Sequence, residues 1–324
     1  MSAVRAEQED FNLDGEDIAV AVPTWFRLAS GDALPDAEIL LRRYGRADAP
    51  TIVVAGGISA GRFLSGARGW WGDIVAAGAA IDLERYSALG FDFSPIADAR
   101  VRLTPLDQAR LVEVALNVLN VAQIEAWVGA SYGGMVGLSF AAHAPARIKR
   151  LCAISAAHRP SALARGWRGV QRRVVEFAIA QGAAEEGLSL ARQLAMITYR
   201  SADEFEQRFP GGVGDDCRSD LDRYLIARGD AYIDVMAPQR WLTLSEAIDR
   251  CDVTPEDITV PVTLAACPTD QIATFPDMEE LARRLPRLSA FYTLPSLYGH
   301  DAFLKEPERV SAIVRACLEL GDVV

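Results

Sequence analysis

The sequence predicts an α/β fold with a mostly parallel central sheet, and three features of its 324 residues support this prediction. Short apolar runs alternate with helical segments over residues 51–155, which is the order that successive βαβ units produce. The alternation stops at about residue 160, and helical stretches then follow one another as far as residue 251 without a clear strand. Strand-like runs resume at residue 259 and lead to a C-terminal helix.

These patterns divide the chain into a core in two parts with an inserted helical cap, or lid. The first part of the core is predicted to span residues 1–160, the cap 161–255 and the second part of the core 256–324. Apolar, β-branched runs predict strands at 18–22, 38–44, 51–55, 86–92, 124–128, 150–155, 259–265 and 291–294, the first two as a hairpin. Helical spacing predicts helices at 105–119, 134–143, 166–181, 187–199, 220–236, 243–251 and 307–319. Thr104 is placed to cap the first of these, and the acidic residues 1–17 are predicted to form a frayed arm.

Composition limits the classes of function. Lysine and arginine number 33 against 44 aspartate and glutamate residues, for a formal charge of −11. This balance argues against a general binder of nucleic acid or of membrane surfaces. There is no pattern of a signal peptide, and no apolar run approaches the roughly 18 residues of a membrane span. The five cysteines are scattered without metal-ligand spacing, so we expect reduced thiols, no metal and a cytoplasmic location.

The stretch Gly-Ala-Ser-Tyr-Gly at 129–133 fits the G-x-S-x-G pattern of a nucleophile elbow. Such an elbow is a sharp strand-to-helix turn that projects a serine hydroxyl above the edge of the sheet. The residues around the serine must be small, since side chains there would collide with the strand and the helix. Ser131 is therefore the predicted nucleophile. The alternative is a glycine-rich turn of an ordinary α/β protein.

A serine nucleophile needs a base and a carboxylate that orients the base. Among the three histidines, His300 alone follows the last strand in the order serine, acid, histidine. Asp270 lies just past the predicted strand at 259–265, where the acid is expected. Asp277 is the competing acid, although Pro276-Asp277 is more typical of a helix start. The other two histidines occupy less suitable positions: His143 ends the elbow helix, and His158 precedes any plausible acid.

The glycine-containing loop at 56–61 follows a buried strand, and its backbone can approach a substrate closely. We predict an oxyanion hole formed by the N–H of Ile58 in this loop and the N–H of Tyr132, which follows the nucleophile. The alternative for the loop is a plain strand-to-helix turn.

Four motifs in chain order resemble the homoserine O-acetyltransferases, a family of the α/β-hydrolase superfamily. The motifs are Gly-x-Ser-x-Gly-Gly-Met at 129–135, Gly-Trp-Trp at 69–71 with Gly-Ala-Ala-Ile-Asp at 78–82, Ala-Arg-Gln-Leu-Ala-Met-Ile-Thr-Tyr-Arg-Ser at 191–201, and Gly-His-Asp-Ala-Phe-Leu at 299–304. The resemblance covers residues 50–305. It implies an α/β-hydrolase fold with a cap, and acyl transfer from an acyl-CoA to the hydroxyl of homoserine through an acyl-serine, a step of methionine biosynthesis. It also implies a homodimer formed through the cap.

The resemblance assigns roles to residues that match the motifs. Ser131 would be the nucleophile, His300 the base and Asp270 its orienting acid. Arg192, Tyr199 and Asp301 match positions that hold the amino acid. An arginine suits a carboxylate in a bidentate contact, and an aspartate can pair with an ammonium. For Arg192 and Tyr199, the alternative is a solvated helix face.

The resemblance implies no permanently bound cofactor, with acetyl-CoA or succinyl-CoA as the acyl donor. Tyr132 stands where the family usually has methionine, the oxyanion loop differs from the family's, and the segment 93–101 is shorter. These departures leave both the acyl group and the acceptor, homoserine or serine, open. The alternatives are an esterase that uses water as acceptor and a non-catalytic relative that binds ligands. Arg192 and Asp301 favour transfer over hydrolysis.

Overall fold

The computed structural model describes residues 15–34 and 36–319. Its strands are β1 (Glu16–Ala21), β2 (Glu38–Tyr44), β3 (Thr51–Ala55), β4 (Val75–Ala76), β5 (Ile81–Asp82), β6 (Ser87–Phe91), β7 (Ala126–Ala130), β8 (Leu151–Ile154), β9 (Val262–Ala266) and β10 (Leu288–Thr293). Eight of them form one sheet in the order β1-β2-β6-β3-β7-β8-β9-β10. The pairs β1–β2 and β2–β6 are antiparallel and the rest are parallel, which confirms the predicted sheet.

Most of the predicted arm at 1–17 lies outside the described residues. Within the described part, Glu16 and Asp17 already belong to β1, where Asp17 pairs with Arg42 of β2. The arm therefore does not extend as far as residue 17. The short parallel pair β4–β5 has no counterpart in the predicted strands, because two-residue strands leave no periodicity to read.

The strands β3, β6, β7, β8 and β9 are buried at every residue. This explains why they read as continuous apolar runs, since a parallel sheet is covered on both faces. Successive side chains alternate between two cores. Val53 and Ala55 belong to one core, and Ile52 and Val54 belong to the other.

The helices are α1 (Pro105–Val118), α2 (Tyr132–His143), α3 (Ala162–Ala180), α4 (Ala184–Tyr199), α5 (Ala202–Arg208), α6 (Asp220–Ile233), α7 (Pro238–Asp249), α8 (Phe275–Arg284), α9 (Ala302–Lys305) and α10 (Pro307–Glu319). Helices α1, α2 and α8 cover one face of the sheet, and α10 covers the other. Thr104 caps α1 as predicted, in a reciprocal capping box with Asp107. No helix of the described residues is long and apolar enough to cross a membrane.

Five helices, α3 to α7, lie between β8 and β9, and no strand interrupts them among the described residues. Their ends differ from the predicted ones for local reasons. Helix α3 starts four residues early because Ser161 caps it, and α7 starts five residues early because Pro238 is well suited to a first helical turn. Helix α5, capped by Ser201, was not predicted because it is too short for a periodic signal.

Candidate active site

Ser131 lies in the sharp turn between β7 and α2. Its backbone has φ +53° and ψ −125°, a conformation that non-glycine residues rarely adopt and that costs about 1–3 kcal/mol. The neighbouring glycines permit the turn. A Cβ on Gly129 would lie 2.5 Å from the carbonyl oxygen of Gly133, and one on Gly133 would lie 2.3 Å from that of Ala55. The strand–turn–helix context of a nucleophile elbow is therefore present.

Ser131, His300 and Asp270 form a hydrogen-bonded chain. His300 Nε2 lies 2.8 Å from Ser131 Oγ, and His300 Nδ1 lies 2.8 Å from Asp270 Oδ2. The second carboxylate oxygen of Asp270 accepts hydrogen bonds from the N–H groups of Ile272 and Ala273, at 2.7 and 3.0 Å. The acid is thus fixed by its own loop, and it can hold the imidazole with Nε2 directed at the serine.

Electrostatics suit the imidazole to the role of a base. Burial of His300 disfavours its charged form, but the negative charge of Asp270 and the hydrogen bond to it outweigh burial and raise the pKa of His300 above its usual value. Asp301 acts in the same direction. A proton taken from Ser131 would therefore be held more firmly than by an isolated imidazole in water.

The competing residues lie elsewhere. Asp277 lies in the first turn of α8, which Thr274 caps, and its carboxylate accepts a hydrogen bond from Thr274 Oγ1 at 2.6 Å. His143 lies near the surface beside Glu113, at 3.4 Å. His158 is buried next to Arg284 and Glu280, and burial lowers its pKa. None of these three residues takes part in the hydrogen bonds that link Asp270, His300 and Ser131.

The two predicted oxyanion donors line the same cavity as Ser131. The loop of Ile58 is tied to the elbow, because the N–H of Gly133 donates to the carbonyl of Gly56 at 2.8 Å. Within residues 15–34 and 36–319, no hydrogen bond occupies the N–H of Ile58 or of Tyr132. Both groups are therefore free to donate to a developing oxyanion.

The cavity above Ser131 has a volume of about 220 Å³. Its walls come from the elbow, from the loops of Ile58 and His300, and from helices α3, α4 and α7. Arg192, Tyr199 and Asp301 all line it. Seven of the eight predicted site residues therefore line one cavity, and the eighth, Asp270, lies behind His300.

Arg192 projects from α4 between two aromatic rings. Its guanidinium carbon lies 4.7 Å from the ring centre of Tyr232 and 5.7 Å from that of Tyr199. No carboxylate of the described residues lies within ion-pair distance of Arg192. The guanidinium is half-buried and is available to an anionic ligand. The ring of Tyr199 also lies 5.6 Å from that of His300, so the cation is near the base.

Asp301 differs from Arg192 and Tyr199, the other two residues predicted to hold the amino acid, because it already has an ionic partner. Its Oδ2 accepts a hydrogen bond from Arg200 Nε at 2.9 Å. The sequence predicted only a ligand's ammonium as its partner. The pairing leaves one carboxylate oxygen, Oδ1, for a ligand in the cavity.

Arg200 and its neighbours connect the end of α4 to the loops of the base and the acid. Besides the contact with Asp301, the carbonyl of Arg200 accepts a hydrogen bond from Gln271 at 3.0 Å, one residue past Asp270. Ser201 Oγ donates to the carbonyl of Leu297 at 2.6 Å. Gly299 has φ +55°, and a Cβ there would lie 2.5 Å from the carbonyl of Tyr199. We call this set of contacts the α4 anchor.

Several residues of the cavity wall were not predicted from the sequence. Trp70, Trp167, Trp241, Arg168, Gln171 and Ser245 all line the cavity. Trp70 belongs to the Gly-Trp-Trp motif that carries the family resemblance, but the resemblance assigned no role to this residue. The others lie on amphipathic helices, where a residue that faces a ligand has the same spacing as one that faces the core.

The chain is similar to known proteins over most of its length. A family model described as α/β hydrolase fold matches residues 50–307. The chain is 38% identical over 284 residues to a homoserine O-succinyltransferase of Xanthomonas campestris pv. campestris, with 85% of this chain and 77% of the relative covered.

Two solved structures are similar in fold. A homoserine O-acetyltransferase from Bacillus anthracis matches with a TM-score of 0.85 at 16% identity, covering 94% of this chain and 98% of the other. Esterase E22 matches with a TM-score of 0.85 at 15% identity, covering 94% and 100%. The family model spans most of the chain, and the identity to the Xanthomonas relative is high over most of it. The chain therefore belongs to the family of homoserine O-succinyl- and O-acetyltransferases, within the α/β-hydrolase fold.

Proposed function

We propose that the protein transfers an acyl group from acetyl-CoA or succinyl-CoA to the side-chain hydroxyl of L-homoserine, in a ping-pong mechanism through an acyl-Ser131 intermediate. The observation that carries the proposal is the guanidinium of Arg192, which has no ionic partner among the described residues and lines the same cavity as Ser131 and His300. An esterase has no use for this cation, whereas an amino-acid acceptor brings a carboxylate. The product, an O-acylhomoserine, would belong to methionine biosynthesis.

In the first half-reaction, His300 Nε2 accepts the proton of Ser131 as Oγ attacks the thioester carbonyl. The oxygen of the tetrahedral intermediate would be stabilised by the N–H groups of Ile58 and Tyr132. Collapse of the intermediate breaks the carbon–sulfur bond. The proton on His300 passes to the leaving thiolate, so free CoA departs and Ser131 carries the acyl group.

The second half-reaction reverses these roles. His300 takes the proton of the homoserine hydroxyl, whose oxygen attacks the acyl-serine, and then returns a proton to Ser131. In this proposal Arg192 binds the carboxylate of homoserine, Asp301 binds the ammonium through Oδ1 and Tyr199 packs beside them. The helices α3 to α7 act as a cap that limits access of water, because water would otherwise hydrolyse the acyl-enzyme.

A crossed assay tests the proposal. Purified protein is mixed with acetyl-CoA or succinyl-CoA and with homoserine, serine or no acceptor, while free CoA and the acylated amino acid are measured. We expect steady turnover only with homoserine, and without acceptor a single acyl group on the peptide that contains Ser131. Steady hydrolysis of the acyl-CoA that continues unchanged when homoserine is added would favour an esterase. Faster acylation of serine than of homoserine would identify serine as the natural acceptor.

We also propose a homodimer through the cap. Helix α3 exposes Leu163, Val170 and Phe177 at intervals of seven residues, and each side chain is more than half exposed. Helix α4, which packs beside it, exposes Leu190 and Ile197 at the same interval. Side chains seven residues apart lie along one stripe of a helix, and such stripes are suited to pairing with a copy of themselves.

The dimer gives a prediction about Phe177, which is 70% exposed. Phe177→Glu places a charge in the proposed interface and should yield a monomer at micromolar concentration, as measured by light scattering. Val118→Glu serves as control, since Val118 is an exposed apolar residue of α1 outside the cap. A wild-type protein that is monomeric at this concentration and fully active would contradict the proposed interface.

A further inference from the structure

Tyr232 of α6 contacts two functional parts of the cavity at once. Its hydroxyl oxygen lies 2.9 Å from Ser59 Oγ, within hydrogen-bond distance. The guanidinium of Arg192 lies over its ring, with the central carbon 4.7 Å from the ring centre. The proposed mechanism uses Arg192 and the backbone N–H of Ile58, which is the residue before Ser59, but it assigns no role to Tyr232.

Packing between the helices of the insertion fixes the side chain of Tyr232. The residue is 5% exposed, and this burial raises the pKa of its hydroxyl above the usual value, so the group keeps its proton. Helix α6 packs against α4, and near the two rings Ser189 of α4 donates a hydrogen bond to Asp230 of α6 at 3.0 Å. The contact between Tyr232 and Arg192 is therefore part of a rigid pair of helices.

The loop that carries Ser59 depends on outside contacts for its shape. Residues 56–61 are Gly-Gly-Ile-Ser-Ala-Gly, and a backbone with so many glycines has many accessible conformations. Its start is held to the elbow, where Gly56 accepts the hydrogen bond from Gly133. Within residues 15–34 and 36–319, the contact of Ser59 with Tyr232 is the hydrogen bond that joins this loop to helices α3 to α7.

The position of the N–H of Ile58 decides how well an oxyanion is stabilised. A donor is effective when it is already fixed at roughly 3 Å from the place that the oxygen will occupy. Because Ser59 is the next residue along the chain, a shift of Ser59 also moves the backbone of Ile58. The second half-reaction needs both this N–H and the guanidinium of Arg192 in place, and Tyr232 touches the supports of both.

We propose that Tyr232 is a positioning residue with two separable roles. Its hydroxyl, through Ser59, holds the N–H of Ile58 towards the oxyanion in both half-reactions. Its ring holds the guanidinium of Arg192 towards the carboxylate of the acceptor. This inference rests on the proposed acyl transfer, and it adds that the helical insertion takes part in stabilising the transition state as well as excluding water.

The test separates the hydroxyl from the ring. Tyr232→Phe removes the hydroxyl alone, and we expect kcat to fall about 10- to 100-fold with an unchanged KM for homoserine, since complete loss of an oxyanion donor costs about 100- to 1000-fold. Acylation of Ser131 by p-nitrophenyl acetate, measured as the burst of p-nitrophenolate, should fall by a similar factor. That reaction needs the oxyanion hole but neither CoA nor homoserine. Tyr232→Leu also removes the ring and should in addition raise the KM for homoserine about tenfold.

Ser59 tests the same hydrogen bond from its other end. Ser59→Ala should reproduce the loss of Tyr232→Phe, and the double variant should lose no more than either single variant, because both changes remove one interaction. Ser59→Thr keeps a hydroxyl and should recover most of the rate that Ser59→Ala loses. Tyr224→Phe is the matched control and should have wild-type rates. Tyr224 lies on the same helix with its ring centre 4.3 Å from the guanidinium carbon of Arg208, and it does not line the cavity.

Three results would overturn the inference. They are an unchanged kcat in Tyr232→Phe, losses that multiply in the double variant, and a raised KM for homoserine at constant kcat in Ser59→Ala, which would make Ser59 a direct contact of the acceptor. Transfer to homoserine that persists beside any of these results would keep the proposed function without the positioning role. A p-nitrophenolate burst that depends on the hydroxyl of Tyr232, in a protein that does not acylate homoserine, would keep the positioning role and overturn the transferase.

Discussion

Ser131→Ala and His300→Ala are each expected to lower the rate of CoA release by at least about a thousandfold, since residues of such a chain act as one unit. Without Oγ there is no acyl-enzyme. His300 is the base within hydrogen-bond distance of Ser131 Oγ in the described part of the chain, so its removal leaves the serine proton without an acceptor there. Asp270→Asn should also be severely impaired, because an amide at 2.8 Å from Nδ1 favours the wrong tautomer of His300. Steady-state assays with saturating homoserine measure all three.

Ser139→Ala is the matched control for the serine variant. Ser139 is buried on α2, the helix that follows Ser131, but its hydroxyl donates to the carbonyl of Met135 at 2.9 Å and does not line the cavity. The Ser139→Ala variant should turn over at the wild-type rate. Circular dichroism should show that every variant is folded. Turnover of Ser131→Ala within tenfold of the wild type would mean that another group carries the acyl chain, or that transfer is direct.

Arg192→Ala is expected to separate the two half-reactions. The first half-reaction needs no amino acid, so the burst of CoA release should be nearly intact. Transfer to homoserine should lose roughly 2–4 kcal/mol in kcat/KM, with a raised KM, because the acceptor's carboxylate would lose its charged partner in a partly desolvated site. Single-turnover kinetics of the preformed acyl-enzyme with varied homoserine measure this loss directly.

Arg228→Ala provides the comparison for Arg192. Arg228 is another arginine of the helical segment that lies over a tyrosine, 5.6 Å from the ring centre of Tyr224, but it is exposed on α6. Its removal should change kcat/KM by well under 1 kcal/mol, as expected for an exposed charge. If Arg192→Ala resembles Arg228→Ala, the homoserine carboxylate binds elsewhere in the cavity.

The parts of the molecule that could be predicted from the sequence are those with a strong local signal. The buried strand at 51–55 and the helix at 307–319 have the predicted bounds, because continuous apolar runs and helical spacing are read within one element. The elbow at Ser131 has a local signature as well, since glycines are needed where the strand and helix meet. Chain order then restricted the partners of Ser131 to very few residues.

The remaining features depend on residues that are distant in the chain. The pairing of Asp301 with Arg200 joins positions 101 residues apart, and nothing near either residue indicates it. The same is true of Arg168, whose partner Asp249 lies 81 residues later. Whether a helical arginine faces solvent, a carboxylate or a cavity is decided by packing, and periodicity alone does not distinguish these cases.

The α4 anchor has a consequence for exchanging parts between relatives. Along the chain, residues 199–201 fall in the middle of the helical insertion, yet their contacts are with the loops that hold the acid and the base. A chimera that takes its insertion from another enzyme would therefore replace one side of these contacts and keep the other. Such grafts should be designed with residues 199–201, 271 and 297–301 transferred as one module, although three separate stretches of the gene encode them.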